Sequence, residues 1–205
     1  MPELIAPTER LTVSFAAAAE EFIAEGRGSP EDQSLTGQMI RDYALPAEGT
    51  SWVRDYLAEE RRWQTRPPAD FVPMTTLWWA EGETFLGRIS IRHRLNERLR
   101  EIGGHIGYDV RPSARRRGHA TAMLAATLPR AAALGIERAL ITCDIDNVGS
   151  RKAIERNGGV LEDRRGGKLR YLTPTSPAEA AAGGTPGRRD GAPASAPDLN
   201  SGPRG

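Results

Sequence analysis

The sequence of 205 residues has one cysteine, almost no net charge and no long apolar run. The single cysteine, Cys143, excludes a disulfide within the chain, so a reducing compartment is expected. No apolar stretch approaches the ~20 residues that a membrane-spanning helix needs. The first residues, Met1-Pro2-Glu3, do not begin a charged and then apolar leader. These absences predict a soluble, cytoplasmic protein without a membrane partner.

The charges and histidines exclude two further classes of protein. The 28 Lys and Arg residues nearly balance the 27 Asp and Glu residues, for a formal net charge of +1. Because a dedicated nucleic-acid binder usually carries a basic excess, no nucleic-acid partner is expected. The basic run 115–117 keeps an arginine-rich nucleic-acid binder open as an alternative. The three histidines and one cysteine lack the spacing of metal ligands, so no metal is expected.

The apolar pattern predicts an α/β fold with a tail. Helices are predicted over 11–24, 51–63, 120–134 and 147–156, and strands over 4–5, 75–80, 85–91, 105–110, 138–144, 160–163 and 169–172. From Pro174 onward, proline, glycine, alanine and serine dominate, and Leu199 is the only large aliphatic residue. Such a segment buries too little apolar surface to offset the entropy of ordering. We therefore predict one domain over residues 1–173 and a disordered tail over 174–205.

The most informative segment joins the strand at 105–110 to the helix at 120–134. Free main-chain N–H groups at the helix start would attract an anion, arginines would add charge-assisted bonds, and a glycine would admit the anion closely. The residues expected to contact the anion are Arg115, Arg116, Arg117, Gly118, His119, Ala120 and Thr121. The segment predicts a diphosphate site; the alternative is a solvated basic turn.

The strand before this loop has two faces. Its alternation sends Ile106, Tyr108 and Val110 into the core, and His105, Gly107 and Asp109 to the opposite side. An imidazole with an ordinary pKa near ~6.5 accepts protons at neutral pH, so His105 is a candidate base. A structural histidine bonded to the main chain is the alternative. Asp109 is a second candidate base, or part of the polar face of the strand.

The loop and a later motif carry a family resemblance. Arg115-x-x-Gly118-x-Ala120 resembles the acyl-CoA loop of the GCN5-related N-acetyltransferases (GNAT), whose pattern is Gln/Arg-x-x-Gly-x-Gly/Ala. Asn147-x-x-Ser150 resembles the Asn-x-x-Ser/Ala motif of the same family. The order of elements over residues 3–173 is also that of the family. The GGHIGY and CDIDNVGS segments are similar to a little-characterised bacterial branch.

The resemblance implies a fold and a set of site residues. The fold is a mixed central sheet with a splayed strand pair and helices on both faces. The co-substrate is acetyl-CoA, with the main chain of Asp109 and Val110 pairing with the pantetheine amides. Asn147 and Ser150 would lie beside the pantetheine, and Asn147 is equally a helix cap.

The sequence departs from the family at two positions of the reaction. His105 stands where many relatives have glutamate, and Ile154 stands where the family has the tyrosine that protonates the thiolate. His105, Asp109 or a water they hold would take the amine proton, and Tyr171 or water would supply the other. We expect an N-acetyltransferase that acts on a primary amine of a small molecule or peptide. A non-catalytic acyl-CoA-binding module is the alternative, and a homodimer through the terminal hairpin is left open.

Overall fold

The computed structural model describes residues 1–176. The helices are α1 (Thr12–Ala24), α2 (Leu35–Asp42), α3 (Trp52–Trp63), α4 (Glu97–Glu101), α5 (His119–Ala133) and α6 (Val148–Arg156). The strands are β1 (Glu3–Ile5), β2 (Met74–Glu81), β3 (Thr84–Arg92), β4 (Ile106–Val110), β5 (Arg138–Asp144), β6 (Val160–Arg165) and β7 (Lys168–Pro174). Every strand predicted from the sequence is present, with bounds shifted by one to two residues.

The strands form two sheets that meet at one point. One sheet has the order β1-β2-β3-β4 and the other the order β5-β7-β6, and all of these pairs are antiparallel. The sheets touch through a bridge between Gly104 and Ile141. Gly104 has a φ of +63°, and a Cβ there would collide with the carbonyl of Leu140, so glycine permits this close approach. Past this point β4 and β5 separate, as predicted for the splayed pair.

Each face of the first sheet is covered by helices, because its strands are apolar on both faces. Leu77 and Trp79 of β2 belong to a core shared with α5, whereas Trp78 and Ala80 belong to a core shared with α1 and α3. The rings of Phe15 and Trp78 lie 4.5 Å apart in the second core. The predicted fold, with helices on both faces of a central sheet, is confirmed.

Two helices were not predicted from the sequence. Helix α2 follows a stretch of turn-forming residues, and Ser34 caps it by accepting a hydrogen bond from the N–H of Gly37 at 3.0 Å. The short α4 is capped in the same way by Asn96. Neither is long enough to show a clear apolar period, so tertiary contacts decide both.

The ordered chain continues beyond the predicted domain boundary at residue 173. Pro174 is the last residue of β7, and Thr175 is 3% exposed. The Thr175 hydroxyl donates to the carbonyls of Ile136 and Glu137 at 2.6 and 2.8 Å. These two residues therefore belong to the domain, and the predicted tail from 177 onward lies outside the described residues. Within residues 1–176, no helix has the length and apolarity to cross a membrane.

Candidate active site

Carboxylates of α1 hold the loop between β4 and α5 in place. Glu21 accepts hydrogen bonds from the Arg111 guanidinium and from the N–H and hydroxyl of Ser113, at 2.8 to 3.0 Å. Although burial opposes it, this bonding lowers the pKa of Glu21. Glu25 accepts both terminal nitrogens of Arg115, at 2.6 and 2.8 Å. The start of the loop is thus fixed against a helix.

The main chain of the loop presents a row of free donors. Arg116 and Gly118 have φ angles of 60° and 84°, and this left-handed geometry turns successive N–H groups to one side. The first helical bond of α5 is donated by Ala122 to Gly118. Among the described residues, the N–H groups from Arg116 to Thr121 have no hydrogen-bond partner. Six consecutive donors at a helix N-terminus form the anion site that the sequence predicts.

The three arginines of the loop differ in what their side chains do. Arg115 uses all of its nitrogen positions within the protein, since Nε also donates to the carbonyl of Val110 at 3.1 Å. Arg116 and Arg117 are exposed, and neither forms an ion pair with another described residue. The geometry therefore leaves two guanidinium groups for an anion and gives Arg115 a supporting position. His119 points its Nδ1 at the indole N–H of Trp79, 3.3 Å away, so only its main chain faces the loop.

The register of β4 decides which main-chain groups face the gap between β4 and β5. His105 accepts from the N–H of Arg92, and Arg111 donates to the carbonyl of Leu86. Because antiparallel strands bond at alternate residues, Gly107 and Asp109 also bond toward β3. Tyr108 and Val110 therefore turn their N–H and C=O groups toward β5. This corrects the prediction for the main chain of Asp109, since Tyr108 takes its place beside Val110.

The opposite edge of the gap is formed by β5. Leu140 accepts from the N–H of His105 at 2.6 Å, so its main chain points toward β4. By the same alternation, Thr142 and Asp144 direct their main-chain groups into the gap. Two unpaired strand edges face each other, which is the geometry that accepts an extended, amide-bearing chain between them.

A tyrosine and a serine meet at the mouth of this gap. The hydroxyl groups of Tyr108 and Ser150 are 2.8 Å apart, and Asn147 fixes Ser150 by accepting its N–H at 2.9 Å. Asn147 is therefore the cap of α6, one of its two predicted roles. Burial raises the pKa of Tyr108 to about 12, against the opposing bond to Ser150, so the phenol keeps its proton at neutral pH. Cys143 nearby is buried, and burial raises the pKa of its thiol.

His105 joins the two sheets. Its Nδ1 accepts a hydrogen bond from the main-chain N–H of Leu140 at 2.9 Å. A neutral imidazole has one acceptor nitrogen, so Nε2 carries the proton in this arrangement. Burial and the positive charges of Arg92 and Arg100 lower the pKa of His105. The ring thus holds the main chain, as in the structural alternative, and its one lone pair is occupied.

Asp109 lies on the other face of β4, toward α1 and α2. Its Oδ1 accepts from Arg27 at 3.2 Å and its Oδ2 from the hydroxyl of Thr36 at 2.7 Å. The Arg27 guanidinium also bonds Asp32 and Ser34, so it ties the segment between α1 and α2 to the strand. Arg27 and Thr36 were not singled out from the sequence. No local pattern links them to a strand more than seventy residues away.

The residues considered as the proton donor are placed clearly. Ile154 is fully buried in the core beneath α6, and Tyr171 donates to Glu155 at 3.1 Å. Tyr108 was predicted only as a core residue, and its hydroxyl instead reaches α6. The sequence signal was the polar atom at the end of a buried ring. Within residues 1–176, no group of three acidic, histidine or cysteine side chains could hold a metal ion.

Comparison with known proteins agrees with this geometry. The model of a family described as acetyltransferase (GNAT) domain matches residues 15–160. The chain therefore belongs to the GNAT acetyltransferase family, and the predicted enzyme class, N-acetyltransferase, is confirmed. No curated protein sequence matches the chain.

Several solved structures share the fold at low sequence identity. RimJ of Mycobacterium smegmatis, in complex with CoA-disulfide, aligns with a TM-score of 0.59 and 17% identity, over 84% of this chain and 80% of that one. RimL, a ribosomal L7/L12 alpha-N-protein acetyltransferase, gives 0.55 and 17% over 84% and 90%. The microcin C7 self-immunity acetyltransferase MccE, in complex with acetyl-CoA and AMP, gives 0.55 and 13% over 84% and 92%. The substrates of these proteins differ, so the likeness establishes the fold only.

Proposed function

We propose that the protein transfers the acetyl group of acetyl-CoA directly to a primary amine of a small molecule or peptide. The observation that carries the proposal is the row of six partnerless N–H groups from Arg116 to Thr121, beside the exposed Arg116 and Arg117. This row fits a diphosphate, because main-chain donors at a helix start bind anions without reorganisation. The opening between β4 and β5 leads away from it and accommodates the pantetheine arm.

The reaction needs alignment, a proton acceptor and a proton donor. Bound acetyl-CoA supplies the thioester, and a main-chain N–H of Tyr108 or Val110 polarises its carbonyl. Alignment of amine and carbonyl lowers the barrier by several kcal/mol, of the ~7–11 kcal/mol that orientation can supply. Asp109, acting through water, takes the proton of the amine, while His105 positions β5 against β4. The paired hydroxyls of Tyr108 and Ser150 protonate the departing thiolate.

The alternative, a non-catalytic acyl-CoA-binding module, is favoured by one observation. Ile154, at the place of the family tyrosine, is fully buried and offers no proton. Calorimetry with CoA and a CoA-release assay with a panel of primary amines distinguish the two. Binding with turnover supports the enzyme, binding without turnover on any amine supports the module, and no binding overturns both.

The role of Asp109 needs its own test, because it also carries an ion pair. Asp109→Asn keeps an acceptor for Thr36 but loses the charge facing Arg27. We expect kcat to fall by about 100-fold, as for loss of a general base, with unchanged affinity for CoA. The matched control is Arg27→Met, which removes the ion pair and keeps the carboxylate. Equal kcat losses in both variants would assign Asp109 to structure alone.

A further inference from the structure

A cleft on the helical face of the first sheet contains buried polar atoms without partners. It lies between α2, α3 and β3 and holds about 340 Å³ of space, part of it open to solvent. Glu60, Tyr56 and Arg88 line its inner part and are 8%, 3% and 3% exposed. The Oε2 of Glu60, the hydroxyl of Tyr56 and the Nη1 of Arg88 form no hydrogen bond with any described residue. Buried polar atoms of this kind are costly unless an occupant bonds them.

The charged groups at the cleft are unequal. Three carboxylates line it, those of Asp42, Glu59 and Glu60, against the single guanidinium of Arg88. Arg88 lies 3.7 Å from the Oε1 of Glu60, beyond hydrogen-bond distance, and leaves the Oε2 of Glu60 free. Arg62 pairs with Glu59 from the outer side at 3.4 Å, which leaves Asp42 and Glu60 as the carboxylates available to an occupant. The cleft therefore favours a cation.

Aromatic rings form the walls. Tyr43 donates to the Oε2 of Glu59 at 3.0 Å and Trp63 donates to its Oε1 at 3.2 Å, so one carboxylate fixes both rings. Burial and the charges of Glu59, Glu60 and Asp42 raise the pKa of Tyr43. The faces of such rings attract an ammonium group in a partly desolvated site. Rings and carboxylates together suit an ammonium head on a slender alkyl chain.

The cleft adjoins the face of β4 that carries Asp109. Arg88 pairs directly with Asp109 across β3 and β4, so the two side chains share a face. Thr36 bonds the Asp109 carboxylate, and the preceding residue, Leu35, lines the cleft. A molecule whose reacting amine lies near Asp109 can thus extend along α2 into the cleft.

We propose that this cleft binds a second cationic group of the acceptor, a primary ammonium on an unbranched alkyl chain. The inference rests on the proposed acetyltransferase function and narrows its substrate class. The Oε2 of Glu60 accepts from the ammonium group, Tyr56 offers its hydroxyl oxygen, and the rings of Tyr43 and Trp63 enclose the alkyl chain. The same chemistry is offered by a free diamine and by the lysine side chain of a peptide.

The test compares acceptors that differ only in the second ammonium group. With saturating acetyl-CoA, 1,5-diaminopentane should have a KM at least about tenfold below that of 1-aminopentane, as expected for one desolvated charge contact. Glu60→Gln and Asp42→Asn should each raise the diamine KM, by about tenfold and about threefold, without changing the monoamine KM. Glu20→Gln, an exposed carboxylate on α1, is the matched control and should change neither. Asp42 is exposed, so its variant remains informative if Glu60→Gln does not fold.

A peptide pair separates the two sources of the ammonium group. A dipeptide amide with lysine after its free N-terminus is compared with the norleucine equivalent, and the larger preference identifies the natural source. Equal KM values within both pairs, with turnover intact, would overturn the inference and leave the proposed function standing. If no amine is acetylated, calorimetry of 1,5-diaminopentane without acetyl-CoA decides: uptake lost in Glu60→Gln and Asp42→Asn supports the cleft, and no uptake overturns it.

Discussion

The ring of His105 and the main chain of Leu140 bond each other twice at the point where β4 and β5 part. His105 donates its main-chain N–H to the Leu140 carbonyl at 2.6 Å, and its Nδ1 accepts the Leu140 N–H at 2.9 Å. This pair of bonds closes one end of the gap. The gap therefore opens only toward the loop that precedes α5, where the six free N–H groups lie.

The first prediction separates a positioning role of His105 from a base role. His105→Asn keeps an acceptor near the place of Nδ1 and should retain kcat and the pH profile of kcat/KM. His105→Ala leaves the Leu140 N–H without its partner and should lower the free energy of unfolding by about 1–3 kcal/mol in urea titrations. A kcat loss of about 100-fold in the Asn variant, with normal stability, would instead make His105 the base.

The second prediction concerns the arginines of the loop. Arg116→Gln and Arg117→Gln should each weaken CoA binding by about 3- to 10-fold, the effect of one partly exposed charge contact. Because pantetheine lacks the diphosphate, its affinity should not change. Calorimetry with both ligands measures this.

Arg115 gives the contrast within the same run of arginines. Its side chain bonds Glu25 and Val110, so Arg115→Gln should destabilise the loop and weaken CoA and pantetheine together. An Arg115 variant that weakens CoA alone would place its guanidinium on the diphosphate after all.

The third prediction concerns the Tyr108–Ser150 pair. If these hydroxyls protonate the thiolate, Tyr108→Phe and Ser150→Ala should each lower kcat by about 10- to 100-fold, toward the lower end of general acid contributions. Neither change removes a main-chain donor, so CoA affinity should stay within about twofold. Tyr171→Phe, at the phenol bonded to Glu155, is the control and should leave kcat unchanged. A loss confined to Tyr171→Phe would identify that residue as the donor.

The fold was predictable because each signal is local. Strand alternation, the glycine and basic run at 115–118, and the Asn147 cap all act within a few residues of each other, and the structure retains each of them. The side-chain partners of the site were not predictable for the opposite reason. The bonds from Arg27 and Thr36 to Asp109 span 82 and 73 residues of sequence, and they exist only because α1 and α2 pack on β4.

The error for the main chain of Asp109 has a similar origin. Sequence alternation gave the face of the sheet on which its side chain lies, but not the edge toward which its N–H and C=O point. That edge depends on the register with β3, in which Arg88 lies opposite Asp109. A register between two strands separated by a fourteen-residue connection is set by tertiary packing.

The last prediction concerns stability at acid pH. Burial lowers the pKa of all three histidines, His93, His105 and His119, with nearby arginines adding to the effect at the latter two. The unfolded chain then takes up these protons at a higher pH than the folded chain, so the stability is complete above about pH 6.5 and is lost as the pH falls through the lowered values. Urea unfolding from pH 8 to pH 5 should therefore show a falling free energy, and His105→Asn should reduce the slope. Lys152→Gln, an exposed change without a titrating group in this range, should leave the slope as it is. A flat profile in the unsubstituted protein would contradict the buried, neutral state of these rings.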